Sequence, residues 1–599
     1  MTQGSSLTAR SERLWLLGIL LLVVALRFIA AGSDPMPELD AGFISDSGTW
    51  WKNPKQHLLW GQWFMDDGNF GILTAPAHAL AQRAVFGLFG LGYAQGFLLS
   101  GVSGVVSTVL VFGLVRREHD AVPALLAAAF AGIDVLMLAY DRAAYPEPFQ
   151  LMLMLAAVGA VLASRGRAWL AALGGVAVVA VLLAKPPGLV LAPIAATAWL
   201  ALWITDRVRE PSAATPAQFQ WRGFALYTAT AAVLVAFVGL VFLRPYAADV
   251  WLHFQQQMSD GQALGARVTD RVLLFGTPLG FRLNNFFRYE WYLLVAAGAF
   301  GAARIARVIR RRVTAVEVAA WLWVLLGLGV MGLQSYQQDR RFLFLVPPLA
   351  MLSAIALAHA VELGDSAWQS LRARRLAMGG AGAILALVVL YYLIPFGAWK
   401  MIGIGARLGR TWSYGEAGGI LLSAMIVGAA LLAAVWSPTV RLRGNTTLQR
   451  GLAAAALGMV LLRVVPELHT RGHGLRDISR AIDRISREWP AEDRVAVGWT
   501  AGTVTLTSHV LPASNEVKGP RASERFRPQL EIYSTSGKPL QQRKVWAVPG
   551  RPAKVVCAQL PAWNDARGTP RLTVHILVEP DRLAACQAAV SARIPRVPS

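Results

Sequence analysis

Two acidic stretches lie where hydrophobic segments end. Asp46 opens the stretch 46–53 just beyond the first hydrophobic segment, and Glu147 closes the stretch 141–147 at the start of a later one. A carboxylate at such a boundary is costly to place, so these positions usually carry a function. A carboxylate near a low-dielectric boundary is also a better base than one in water. Asp46 and Glu147 are therefore the candidate catalytic residues, and the chemistry that they indicate is proton transfer.

Positive side chains accompany these acids along the chain. Arg142 precedes Glu147 by five residues, Lys185 opens a tight turn at 185–188, and Arg340 and Arg341 precede another hydrophobic segment. Arginine and lysine supply fixed positive charges that suit phosphate and that stabilise an anionic leaving group. Carboxylates and cations that converge on one face suit a reaction in which a nucleophile loses a proton while an anion departs.

The composition is that of a membrane protein. Of the 599 residues, 55% are hydrophobic and 15% are charged, and the mean hydropathy is +0.46. Apolar runs of roughly 20 residues recur, and a helix of that length crosses about 30 Å of hydrocarbon. The net charge of +22 lies mostly in short loops and in a polar tail, whereas nucleic-acid binding requires one basic face. We expect a multi-pass protein of the cell membrane, which in a bacterium is the inner membrane. Its expected partners include membrane lipids and exclude nucleic acid.

About thirteen transmembrane helices are predicted from these runs. They are expected at 14–32, 92–115, 121–139, 146–163, 168–184, 187–205, 223–243, 291–303, 315–333, 342–361, 376–397, 417–436 and 451–466. Arginine-rich connections alternate with connections that carry fewer positive charges, and the positive-inside rule makes the arginine-rich ones cytoplasmic. The N-terminus is then cytoplasmic, and Asp46, Glu147 and Lys185 lie on the opposite, extracytoplasmic side.

Two long outer loops and a polar region complete the predicted organisation. Residues 1–466 form the transmembrane domain, whose outer loops are 32–91, with an interfacial helix at 77–89, and 243–290, with His253 as a candidate substrate-binding residue. Residues 467–599 are expected to form a small α/β domain outside the cytoplasm. Its helices are predicted at 475–485 and 582–592, and its strands at 495–499, 544–548, 554–560 and 572–578.

Both cysteines, Cys557 and Cys586, fall in this C-terminal region. In an oxidising compartment they can pair, provided that their Cα atoms lie close enough for a disulfide. Otherwise they serve as two small buried hydrophobic residues. Their spacing leaves both interpretations open.

The first outer loop carries a longer motif. Asp46-Ser47-Gly48-x-Trp50-x-x-Asn53 resembles the first-loop signature of the GT-C glycosyltransferases, and in particular of their protein O-mannosyltransferase and aminoarabinose-transferase-like branch. Three later motifs are similar to family motifs in the same order along residues 14–360. They are Arg142-x-x-x-x-Glu147, Lys185-Pro186-x-Gly188 and Arg341-Phe342-x-x-x-x-Pro347. Four motifs in order on one predicted face are more specific than any one of them.

The resemblance implies a mainly α fold of GT-C type, a polytopic helical bundle with the small α/β domain appended. It also implies transfer of a sugar from a polyprenyl-phosphate donor to a glycan, lipid or protein acceptor at the outer face. Asp46 would be the general base, Lys185 and Arg341 would bind the lipid phosphate, and Glu147 would orient a substrate or join a metal site. The remaining candidate substrate-binding residues are Trp50, Asn53, Arg142, Arg340 and His253.

The position after Asp46 departs from the family pattern. Family members often carry a second acid there, which can serve metal binding, and this chain has Ser47. We therefore assign no metal ligands. A divalent metal elsewhere stays open, since Asp66 and Asp67 offer oxygen atoms but also suit a turn.

Each candidate also has a structural interpretation. Asp46 suits a helix N-cap, Glu147 suits the first turn of a helix, and Lys185 suits an interfacial anchor. For the whole protein, the alternatives are a transporter or flippase for a lipid-linked saccharide and a cell-envelope assembly scaffold. Transporters typically place charges at mid-membrane depth, whereas these acids lie at the ends of the predicted spans.

Overall fold

The computed structural model describes a helical first part and a mixed C-terminal part of the chain. The described residues are 9–28, 42–63, 71–165, 167–185, 188–209, 220–247, 251, 313–333, 339–355, 475–487, 489–490, 494–497, 505–512, 530–535, 554–564 and 570–591. Met1–Ala356, Glu467–Asn564 and Pro570–Ser599 form one compact unit. Leu357–Pro466 and Asp565–Thr569 form the other, which lies outside the described residues. The predicted domain boundary at residue 466 stays a prediction.

Helices make up the first part. In chain order they are α1 (Ala9–Phe28), α2 (Gly42–Trp60), α3 (Gly71–Thr74), α4 (Pro76–Phe89), α5 (Tyr93–Arg116), α6 (Ala121–Ile133), α7 (Val135–Asp141), α8 (Pro146–Ala163), α9 (Ala168–Ala184), α10 (Gly188–Arg209), α11 (Trp221–Phe237) and α12 (Ala315–Leu333). A π turn, Val238–Leu243, and a 3-10 turn, Arg244–Tyr246, continue α11. Another 3-10 turn, Asp339–Leu345, overlaps the start of the apolar helix α13 (Phe342–Ile355), which is α-helical from residue 346 onward.

Several of these helices are apolar enough to cross a membrane. Within the described part of the chain, three reach the necessary length, namely Tyr93–Arg116, Pro146–Ala163 and Trp221–Tyr246. The spans predicted at 146–163, 168–184 and 315–333 coincide with α8, α9 and α12. The spans predicted at 291–303, 376–397, 417–436 and 451–466 lie outside the described residues. The count of about thirteen therefore stays a prediction.

Small residues let the helices of this bundle approach closely. Gly175 of α9 lies against α11, where a Cβ atom would meet the Tyr227 carbonyl oxygen at 2.5 Å. Alanines fill the same role in α6 and α8, where Ala127, Ala131 and Ala157 are fully or almost fully buried. Small side chains are the usual means by which helices pack in a membrane, because close approach maximises van der Waals contact.

The predicted span 121–139 is wrong in one respect, because the helix breaks at Asp134. Asp134 adopts an extended conformation (φ −57°, ψ 137°), and its carboxylate accepts a hydrogen bond of 2.9 Å from Met137 N, which caps α7. Arg27 of α1 supports the same break by donating from Nη1 to the carbonyl of Gly132 at 2.7 Å. These two hydrogen bonds give partners to backbone groups at the new helix ends, and such groups need partners where no water is present.

A five-stranded mixed sheet forms the C-terminal part. Its strands are β1 (Val495–Val497), β2 (Leu511–Pro512), β3 (Leu530–Thr535), β4 (Val555–Asn564) and β5 (Pro570–Val578), in the order β2-β1-β3-β5-β4. β1 is parallel to β2 and β3, whereas β5 is antiparallel to β3 and β4. The predicted strands at 495–499, 554–560 and 572–578 match β1, β4 and β5, and the one at 544–548 lies outside the described residues.

Two helices, α14 (Leu475–Ser486) and α15 (Leu583–Ser591), accompany the sheet. α14 buries Ile478, Ile482 and Ile485, whose spacing places them on one helical face, as predicted. Cys557 of β4 and Cys586 of α15 form a disulfide, with their Cα atoms 6.1 Å apart. The pairing of these cysteines, which their spacing left open, is therefore present.

The strands β2 and β3 were not predicted. β2 has only two residues, too few to show a pattern. β3 alternates Leu530 and Ile532 with Glu531, which is also buried and pairs with Lys554 at 2.9 Å. A buried acid that is neutralised by a distant lysine looks like a solvent-facing residue in the sequence.

Candidate active site

Glu147 lies in the first turn of α8, where the local sequence favours a carboxylate. Pro146 occupies the first helical position, which needs no N–H donor, and the positive end of the helix dipole attracts the negative charge of Glu147. Tyr145 precedes the helix in an extended conformation, and its carbonyl accepts from Ser100 Oγ of α5 at 3.0 Å. The start of α8 is thereby fastened to α5.

Lys185 directly follows α9 and faces Glu147. Its ammonium group forms an ion pair with Glu147 Oε1, and both side chains are only 11% exposed. The negative end of the α9 dipole favours a cation at this position. Gln150, one turn beyond Glu147 on α8, donates from Nε2 to the carbonyls of Val181 at 2.9 Å and Lys185 at 3.1 Å. α8 thus holds both the backbone and the side chain of Lys185.

Trp50 of α2 packs against this ion pair. Its ring lies 5.3 Å from Lys185 Nζ, within the range of a cation–π interaction. Asp46 belongs to the same helix, four residues earlier. A spacing of four places two residues on one helical face, about 6 Å apart along the axis. The backbone of α2 therefore brings Asp46 to the face that Trp50 presents to Glu147 and Lys185, although the Asp46 side chain lies outside the described part.

His78 completes this cluster and was not among the predicted site residues. The imidazole is 1% exposed, and its centroid lies 6.0 Å from that of Trp50 and 6.2 Å from that of Phe149. Burial lowers the pKa of His78 to about 3, Glu147 opposes this shift and Lys185 reinforces it. The available signal was the spacing of His78, which places it on the same face of α4 as Gln82 and Phe86, both also buried.

Asn53 serves the loop that follows α2. Its carboxamide donates from Nδ2 to the carbonyl of Trp63 at 2.7 Å and accepts from the Ile72 N–H at 3.0 Å. These two bonds tie the residues on either side of 64–70 to the helix. The contacts of Asn53 are therefore with the chain itself, and its predicted substrate contact stays a prediction.

Arg142 lies next to the end of α1. Its Nη1 donates to the carbonyls of Leu26 at 2.7 Å and Arg27 at 3.3 Å, and it is 4% exposed. The neighbouring Asp141 forms a fully buried ion pair with Arg27, at 2.6 Å from Nη2. Both residues thus fasten α1 to the end of α7, a role that the sequence did not indicate. The predicted contact of Arg142 with substrate stays a prediction.

Lys55 joins α2 to the C-terminal part of the chain. It is 1% exposed, and its Nζ donates to the carbonyls of Thr505 at 2.6 Å, Ser508 at 2.9 Å and Val510 at 3.0 Å. Three acceptors match the three N–H bonds of an ammonium group. Burial lowers the pKa of Lys55 to about 7, and the charge of Asp483 opposes the shift. The helix that carries Asp46 is thus fixed by a turn some 450 residues later.

The remaining predicted residues are only partly described. Arg340 and Arg341 lie in the 3-10 turn that packs on α7, α8 and α12, but their side chains lie outside the described part, as does His253. Asp66 and Asp67 lie outside it too. Among the described residues, no group of three His, Cys, Asp or Glu side chains is placed to hold a metal ion.

The described cluster therefore joins an aromatic face from the middle of α2 to a neutral imidazole, an acid and a cation at the ends of α4, α8 and α9. Such a set can hold an anionic group at Lys185 and polar groups at His78. Asp46 lies one turn before Trp50 on α2, and a carboxylate at such a site suits proton abstraction from a bound nucleophile.

Comparisons with known proteins identify the fold of this chain. No protein-family model and no curated protein sequence matches it. The structure of ArnT from Cupriavidus metallidurans bound to undecaprenyl phosphate matches with a TM-score of 0.55 and 14% identity, over 95% of this chain and 98% of that one. Its apo state matches with a TM-score of 0.54 and 14% identity, over 94% and 98%. ArnT, an aminoarabinose transferase, has the GT-C fold, and the chain shares this polytopic membrane fold.

Proposed function

We propose that this protein transfers a sugar from a polyprenyl-phosphate donor to an acceptor hydroxyl at the extracytoplasmic face of the membrane. The observation that carries the proposal is the Glu147–Lys185 ion pair packed against Trp50, one helical turn from Asp46, within a GT-C fold. The related fold of ArnT, whose structure holds undecaprenyl phosphate, supports the lipid class of the donor. In this proposal the N-terminus is cytoplasmic and residues 467–599 are extracytoplasmic.

In the proposed reaction, the Asp46 carboxylate takes the proton of the acceptor hydroxyl. The hydroxyl oxygen forms a bond to the anomeric carbon of the sugar, and the bond from that carbon to the phosphate oxygen breaks. The electron pair of the broken bond leaves with the polyprenyl phosphate. Lys185 and Arg341 stabilise this developing negative charge, since preorganised cations act most strongly where charge appears.

Glu147 has a supporting role in this scheme. Its ion pair fixes the Lys185 ammonium group before any phosphate binds, at the low energetic cost that a helix N-terminus allows. A phosphate that enters beside Lys185 competes with Glu147 for the same cation. In the absence of substrate, Glu147 therefore neutralises the charge of Lys185. When a phosphate binds, Lys185 can pair with the phosphate instead.

Asp46→Asn tests the base assignment, because it keeps the shape of the side chain and removes its basicity. We expect product formation to fall by about 100-fold or more, the usual contribution of a general base. The assay uses purified protein in detergent with lipid-linked sugar and envelope glycan as substrates, with mass spectrometry of the product. Asp477→Asn, on an exposed face of α14, is the matched control.

The assay in detergent also distinguishes a transferase from a transporter. A transporter has no membrane to move its substrate across in detergent, and only a transferase forms the glycosylated product. Product formation by Asp46→Asn at the wild-type rate would refute the general base. An absence of product with the wild-type protein, when tested against the lipid-linked sugars that accumulate in cells lacking it, would refute the transfer itself.

A further inference from the structure

His78 is a buried polar ring whose hydrogen-bonding groups are not used by the protein. It is 1% exposed, and neither Nδ1 nor Nε2 has a hydrogen-bond partner within the part of the chain that the structure describes. The large majority of buried polar side-chain atoms in folded proteins have a hydrogen-bond partner, so each exception calls for an explanation. His57 offers a contrast in the same region, because its Nδ1 accepts from Arg83 Nε at 3.1 Å.

The position of His78 connects it to the candidate active site. Its ring meets Trp50 and Phe149 edge-on, and the charges of Glu147 and Lys185 are close enough to act on it. Glu147 and Lys185 are each 11% exposed, whereas His78 is 1% exposed. The ion pair and Trp50 are thus the more accessible members of the cluster, and His78 is its buried member, in contact with Trp50.

The protonation state of His78 selects the kind of group that it can bind. Because burial lowers its pKa to about 3, the ring is neutral near pH 7. A neutral imidazole carries one donor nitrogen and one acceptor nitrogen. A phosphate without protons accepts but does not donate, so it satisfies only the donor nitrogen. A hydroxyl group both donates and accepts, and a sugar presents several of them.

We propose that His78 is a sugar-binding residue of this site, with its two ring nitrogens hydrogen-bonded to hydroxyl groups of the transferred sugar. Lys185 binds the phosphate and His78 forms hydrogen bonds with the sugar attached to it. The two ends of the donor headgroup therefore contact different side chains. This inference rests on the proposed glycosyl transfer and names a specificity-determining contact within it.

Two substitutions at position 78 test the inference. His78→Phe keeps a flat ring among the neighbouring aromatic residues and removes both nitrogens, and His78→Gln keeps one donor and one acceptor. The probes are undecaprenyl phosphate and undecaprenyl phosphates that carry mannose, glucose or aminoarabinose. Their affinities are measured with purified protein in lipid nanodiscs. His57→Phe is the matched control, because that ring already has a protein partner.

We expect His78→Phe to weaken binding of the preferred sugar-bearing lipid about 30-fold, the effect of losing two hydrogen bonds of the usual strength. Binding of undecaprenyl phosphate should stay within twofold of wild type, and His78→Gln should retain most of the affinity for the sugar-bearing lipid. Should His78→Phe not fold, His78→Met against His78→Gln gives the same comparison.

Two results would overturn the inference alone. One is an equal loss of affinity for both kinds of lipid, which indicates a purely structural role or a phosphate contact. The other is an unchanged affinity for every probe. Wild-type protein that binds no sugar-bearing lipid more tightly than undecaprenyl phosphate would instead overturn the proposed function, and this inference with it.

Discussion

Removal of the Lys55 amino group should release the turn at 505–510 from α2. Lys55→Met keeps an unbranched apolar chain of similar length and deletes only the donor. The Thr505 carbonyl also accepts from Ser508 N at 3.1 Å and Oγ at 2.9 Å, so it keeps partners. The carbonyls of Ser508 and Val510 lose this donor, and a buried acceptor that loses its partner costs about 1–3 kcal/mol. The sum is about 3 kcal/mol.

The pH changes this loss in a defined direction. The pKa of Lys55 is lowered by burial to about 7 from 10.5, so opening the contact takes up a proton between these two values. The free energy of closure therefore rises with pH across this window, by about 2 kcal/mol between pH 7 and pH 9. Lys55→Met has no such dependence. We expect it to cost about 3 kcal/mol at pH 9 and about 1 kcal/mol at pH 7.

Hydrogen–deuterium exchange of the purified protein measures this opening. The protection of amides in 505–512 should fall roughly a hundredfold at pH 9 and roughly fivefold at pH 7 in Lys55→Met. Arg480→Met is the control, because its side chain is 68% exposed and its pairing with Asp477 contributes little. Unchanged protection of 505–512 in Lys55→Met would refute the contact. A difference that does not vary between pH 7 and pH 9 would show that the ammonium group stays charged among the carbonyls.

Two further outcomes concern groups inside the first part of the chain. The lowered pKa of His78 means that unfolding takes up a proton below pH 6.5, so stability is lost as pH falls. We expect the free energy of unfolding to drop about 1 kcal/mol more in wild type than in His78→Phe between pH 7.5 and 5.5, and equal slopes would contradict the burial of the ring. In α5, a Cβ atom at Gly104 would meet Asp141 Oδ2 at 2.1 Å and Arg27 Nε at 2.5 Å. Gly104→Ala should therefore destabilise the protein by about 3 kcal/mol, whereas Gly113→Ala, which meets nothing within 4 Å, should be neutral or stabilising in the same thermal unfolding assay.

The sequence predicted elements whose signals are local. The apolar runs at 146–163 and 168–184 coincide with helices, since Pro146 marks the start of the first and Lys185 the end of the second. The amphipathic helix at 475–486 was predicted from the spacing of its isoleucines. The sequence pattern also placed Glu147 and Lys185 on one predicted face, and in the structure these two side chains form an ion pair that Trp50 contacts.

Features that depend on distant partners could not be predicted. The break at Asp134 depends on Arg27 of another helix, which donates a hydrogen bond to the Gly132 carbonyl at the broken end. Lys55 resembles a solvated loop lysine until the turn at 505–510 is folded against it. His78 has no metal-ligand spacing, and only the packing of α2, α4 and α8 shows that its nitrogens are buried without partners among the described residues.

The contact of Lys55 with the turn at 505–510 also has a consequence for the order in which the protein is made. The two partners are separated by 450 residues, and a ribosome adds roughly 5–20 residues each second. For roughly 20–90 s after α2 has been synthesised, Lys55 lacks the three carbonyl groups to which it donates in the folded protein. The helix that carries Asp46 packs early on α4 and α5, but its Lys55 contact can form only when the last quarter of the chain has arrived. A truncated or stalled chain would lack this contact, so completion of the polypeptide decides when the last attachment of α2 is made.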